Sequence, residues 1–115
     1  MTNNYSELHQ RIADMSEGDD EFKMELTQAI YNGLQELLQK YSEGHQEQDQ
    51  IKIQQIRHKV KPTISMFEFD DLAECLATGK EILESVGFGK EFDQHVSQFL
   101  PMIHEAIAEV EYLTK

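Results

Sequence analysis

The chain has 115 residues, one ordinary domain, and its 39% hydrophobic content supports one core without any run near the roughly 20 apolar residues of a membrane span. Ten basic residues against 22 acidic ones give a formal charge of −12, which argues against wrapping nucleic acid. A single cysteine, Cys75, excludes disulfide frameworks and Cys-rich metal centres, and Met1–Tyr5 lacks the basic and apolar stretches of a signal peptide, so a soluble cytoplasmic protein is expected.

Five helices are predicted in chain order, the first of them short. It covers roughly Tyr5 to Met15, with Leu8 and Ile12 as its apolar stripe. Ser16-Glu17-Gly18-Asp19 breaks the chain, and Asp19 or Asp20 can cap the next helix. That second helix runs to about Ser42 and buries Phe22, Leu26, Ala29, Ile30, Leu34, Leu37, Leu38 and Tyr41, with Gly44 placed to stop it. A third begins near Gln48 and carries Ile53, Ile56, Val60, Ile64 and Phe67 inward. The fourth spans about Asp70 to Val86, burying Leu72, Leu76, Leu83 and Val86. Gly87-Phe88-Gly89 is the next break. The last helix runs from Lys90 to Leu113 over Phe92, Val96, Phe99, Ile103, Ile107 and Val110, and Pro101 should bend or split it. Strand alternation is confined to Ile51-Lys52-Ile53. Residues 1–115 are therefore predicted to form one all-α domain, an antiparallel four-helix bundle with a short additional N-terminal helix.

Bundles host many activities, so function must be argued from a site. A di-metal centre would need Glu-x-x-His pairs, yet Ser6, Ser42, Gln55, Phe92 and Pro101 stand three residues before the five histidines. His-Glu-x-x-His and Gly-rich phosphate loops are absent as well. No inward polar residue is apparent from the pattern, which argues against a metal- or ligand-binding interior. Cys75 lies near the apolar stripe of the fourth helix and reads as a small core-flanking residue.

The third helix carries the informative stretch. From Gln50 to Phe67 there is no acidic residue, while Lys52, Arg57, Lys59 and Lys61 supply four of the ten basic ones. At about 100° per residue, His58 falls about 160° from the centre of the apolar side and is expected to face solvent. Lys61 lies one turn on, and Gln54 and Gln55 one turn back. A neutral imidazole is a competent nucleophile near pH 7 and can carry a phosphoryl group, whose charge a nearby ammonium stabilises.

His58-Lys59-Val60-Lys61-Pro62, followed by Phe67 and Leu72, resembles the signature of histidine-containing phosphotransfer (HPt) domains, His-x-Leu-Lys-Gly with a spaced apolar residue and a further Leu. The resemblance runs from about Gly18 through the fourth helix and, in helix layout, to the C-terminus. It implies that His58 accepts phosphate through Nε2, that Lys61 steadies it, and that Val60 is the buried motif position. Arg57 and Lys59 then tune the local field. Pro62 and Glu68 stand where the family commonly has glycine. The implied activity is that of a phosphorelay intermediate without a kinase site of its own. It would exchange phosphate with the aspartate of a response-regulator receiver or a hybrid histidine kinase, with Mg²⁺ held by the receiver and no cofactor here.

Ile51, Gln54, Gln55, His58, Pro62 and Ser65 form an uncharged outward strip bordered by Lys52, Lys59 and Lys61, the pattern of a docking surface with a charged rim. A monomeric carrier using this strip is expected. A helical adaptor or inhibitor of the same fold, binding its partner without phosphotransfer, would keep the same face. Pro62 should bend or loosen the third helix, because it has no N–H for the carbonyl of His58.

Overall fold

A computed structural model describes residues 7–114, and among them the chain is all-helical, without strands. Five helices follow one another: α1 (Leu8–Ser16), α2 (Asp20–Glu47), α3 (Gln50–Met66), α4 (Asp70–Ser85) and α5 (Lys90–Leu113). Tyr5, placed in the first helix by the sequence, lies outside the described residues. Packing links α2 to α3, α3 to α4, α4 to α5 and α5 back to α2, while α1 packs on α2. No helix among the described residues is long and apolar enough to cross a membrane.

Caps set the helix starts. The Asp19 carboxylate accepts the Phe22 N–H at 3.1 Å and opens α2, and Asp49 accepts from Lys52 N–H at 3.0 Å to open α3. Each satisfies an N–H that the first helical turn leaves unpaired. The central layer holds Ile30, Leu34, Leu37 and Tyr41 of α2, Ile53, Ile56, Val60 and Ile64 of α3, Leu72, Leu76 and Leu83 of α4, and Phe92, Phe99, Ile103 and Val110 of α5. Phe67 and Phe69 plug the corner between α3 and α4.

Several expectations need correction. Gly44 does not end α2, which runs a further turn to Glu47 and closes at Gln48 in the left-handed conformation. The glycine serves a close approach. A Cβ there would stand 2.5 Å from Ile53 Cγ1, so α2 and α3 meet at a point that only hydrogen can fill. Phe22 and Ala29 are exposed rather than buried, because both sit on the flank of the α2 stripe, and Thr27 takes an inward place instead. Val86 is exposed too, since α4 has ended at Ser85 and the chain turns away.

Both prolines lie inside uninterrupted helices. Pro101 does not split α5. Its ring is exposed, and the buried Phe99 and Ile103 hold the chain on either side. In α3 the helix likewise passes through Pro62, with Val60 and Ile64 buried around it. The carbonyl of His58 nevertheless lacks its usual i+4 donor, because proline has none.

Candidate functional site

The outward face of α3 is an outcome of its inward one. Ile53, Ile56, Val60 and Ile64 are buried at successive helical returns, which turns His58 to solvent. Around His58, Ile51, Gln54, Gln55, Pro62 and Ser65 are all exposed, so the sequence-predicted strip exists as one surface. Ile51 is 65% exposed and is not packed beneath α1. Met66, 53% exposed, extends the strip by a further turn beyond Pro62. Its angle about the helix axis, one turn past Pro62, is the sequence signal for that place. Apolar surface thus marks both ends of the face, with the imidazole between them.

The cations bordering the strip are not equivalent. Lys59 is not a free rim cation, because its ammonium is ion-paired with Glu36 of α2 at 2.9 Å. Lys52 binds Glu47 at 2.9 Å and Glu43 at 3.3 Å. These bonds hold the Lys52 ammonium above its usual range, Glu47 first, while Gln39 and then Lys52 hold the Glu43 carboxyl below its own. Arg57 is half-buried on the core flank, close enough to Tyr41 to act on its hydroxyl. Lys61 is exposed and has no carboxylate partner among the described residues. It lies three residues from His58, a rise of about 4.5 Å along the helix.

His58 itself has no hydrogen-bond or ionic partner among the described residues. The remaining described histidines differ. His9 Nε2 is 3.2 Å from Lys23 Nζ, His45 is bonded to Asp93 at 2.8 Å, and His95 is buried. Only His104 shares exposure without a partner, and it adjoins Glu105 rather than a lysine. Taken with the acid-free α3, the geometry leaves one solvent-facing imidazole beside one uncommitted ammonium.

Comparison with family models, curated proteins and solved structures yields no match to this chain.

The expectation of a wholly apolar interior is wrong. Tyr41 Oη and His95 Nε2 are hydrogen-bonded at 2.8 Å across the α2–α5 contact. Burial raises the Tyr41 pKa, with the Cys75 thiol adding to that effect and Arg57 opposing it. Burial also lowers the His95 pKa, assisted by the charge of His45. Opposite the pair is Gly79 of α4, where a Cβ would overlap both His95 Nε2 and the Tyr41 hydroxyl. The two polar groups satisfy each other, and no described buried side-chain polar atom lacks a partner. Among the described residues no three His, Cys, Asp or Glu side chains converge as a metal site. Cys75 is half-buried against the core, and burial pushes its thiol upward, away from nucleophilic character.

Proposed function

We propose that this chain is an HPt-like phosphorelay intermediate, in which α2–α5 form an antiparallel four-helix bundle and α1 is an additional short helix. The observation that carries the reading is the exposed His58, without a partner among the described residues, with Lys61 one turn along a helix that bears no carboxylate. A neutral imidazole presents a free nitrogen lone pair. Nε2 attacks the phosphorus of a receiver's aspartyl phosphate, the N–P bond forms as the acyl O–P bond breaks, and the electron pair leaves on the carboxylate oxygen. The reverse step returns the phosphoryl group to an aspartate.

Phosphoryl transfer is governed by positioning and charge stabilisation. Lys61 supplies a cation for the phosphate that no carboxylate among the described residues has already claimed. The receiver brings its own aspartate and Mg²⁺, so this chain needs neither metal nor nucleotide. A basic helix on an otherwise acidic molecule also matches the carboxylate-rich active site of a receiver and steers its approach.

Two measurements bear on individual residues. Lys61→Ala should slow phosphate uptake by about tenfold to a hundredfold, the scale of a charge-assisted hydrogen bond of about 1.5–3 kcal/mol. Stopped transfer time courses with a phosphorylated receiver check this, and unchanged kinetics would remove Lys61 from the site. Ile51→Asp should weaken receiver binding by about tenfold while leaving helicity and melting unchanged, because it places a charge in the apolar end of the strip. Titration calorimetry with receiver domains from the same genome reads it. Undiminished binding would locate the interface elsewhere.

A further inference from the structure

The corner that ends the His58 helix holds a side chain where the backbone favours glycine. Glu68 has φ +55°, in the left-handed region that disfavours any residue with a Cβ. Its carboxylate is ion-paired with the Arg11 guanidinium of α1. Arg11 is also held at 3.0 Å by Glu7, one turn earlier. The strained residue of one segment is therefore the anchor of another.

Among the described residues, the other polar attachments of α1 to the rest of the fold are few. At 9 residues it is too short to be stable alone in water. Its N-cap residue, Glu7, makes no side-chain capping bond. It buries Leu8 and Ile12, and touches α2 through His9 and Lys23. At the corner, three backbone bonds close the turn: Phe67 N–H to Thr63, Glu68 N–H to Ser65, and Phe69 N–H to Ile64, at 3.1, 3.3 and 3.0 Å. The guanidinium from α1 adds a side-chain tie to these backbone bonds and fixes the turn from outside the corner.

We propose that the Arg11–Glu68 ion pair is a latch that couples the docking of α1 to the closed form of the α3–α4 corner. With α1 seated, Glu68 has its counter-charge and the left-handed turn is held. When α1 leaves, the strain stays and its compensation goes, so the turn loosens directly behind Ser65 and Met66, the end of the outward α3 face. The coupling is reciprocal: whatever tightens or opens that end of α3 alters the hold on α1. The inference stands on the corner alone and holds whether or not His58 carries phosphate.

Amide hydrogen exchange on the full chain, with three variants, tests it. Glu68→Gln removes the charge but keeps the strain, Arg11→Gln removes the other partner, and Glu68→Gly removes charge and strain together. In the first two, exchange should rise about threefold, the scale of an exposed ion pair, both in α1 and at the amides of residues 67–69. The α5 amides should not change. In Glu68→Gly, α1 should open as before while the corner stays protected. Raising sodium chloride from about 0.05 to 0.5 M should reproduce the Glu68→Gln pattern in the unmodified protein and add little in that variant. Unchanged α1 exchange in Glu68→Gln and Arg11→Gln would overturn the latch. An α1 that opens with the corner unmoved in Glu68→Gln, or a corner that opens equally in Glu68→Gly, would overturn the coupling.

Discussion

His58→Gln should abolish phosphate uptake from a phosphorylated receiver and leave the melting temperature within about 2 °C of the parent. The side chain is exposed and makes no hydrogen bond or ion pair among the described residues, and surface substitutions of that kind usually stay within about 0.5 kcal/mol. Gln keeps a polar terminus but has no nucleophilic nitrogen, so only the chemistry is removed. The measurement is acid-labile, alkali-stable radiolabel on the purified protein. His104→Gln is the informative control, since His104 is the other exposed histidine without a partner among the described residues. It should label normally, because no lysine adjoins it and Glu105 would repel an incoming phosphoryl group. Label retained in His58→Gln, or lost in His104→Gln, would refute the assignment. Normal receiver binding by an unlabelled parent chain would instead favour the adaptor that binds without transfer.

Where the sequence was informative, it was so because of periodicity. Ile53, Ile56, Val60 and Ile64 leave one orientation for α3, so the exposure of His58, Ile51 and Pro62 followed from angle alone. The errors share a different origin. Gly44 reads locally as a helix stop, and its real role is set by Ile53 of another helix, which no local pattern contains. Lys59 reads as a free rim cation because its partner, Glu36, stands 23 positions earlier. Phe22 and Val86 are apolar residues at element ends, where the core no longer reaches. His95 had a usable signal, since it lies among Phe92, Val96 and Phe99 on the inward side of α5. That signal is ambiguous until the hydroxyl of Tyr41 arrives from α2 to satisfy it.

Gly79→Ala should be the most damaging single methyl addition in the interior. Helix propensity alone would favour alanine by about 1 kcal/mol. The tertiary term opposes it, because the new Cβ would overlap His95 Nε2 and the Tyr41 hydroxyl and lie 2.9 Å from His95 Cε1. Tyr41 is fully buried and packed at a tilt against Phe99 with ring centroids 4.4 Å apart, so it cannot step aside cheaply. Overpacking and a disrupted buried hydrogen bond together should cost roughly 2–4 kcal/mol, or on the order of 10 °C in melting temperature. The pH dependence gives an independent signature of the same pair. His95 is held neutral, below its ordinary 6.5, first by burial and then by His45. The unfolded chain therefore takes up a proton before the folded one does. The stability associated with neutral His95 is complete above pH 6.5 and is lost as pH falls from there toward the folded value. Protonation would also place a cation beside Tyr41, with Arg57 already near and Asp93 engaged by His45. Denaturant melts between about pH 7.5 and 5 should show this acid loss in the parent chain, and His95→Phe should flatten it. A Gly79→Ala protein as stable as the parent would mean that α4 moves freely away from the pair. An acid slope unaltered by His95→Phe would assign the titration to other groups.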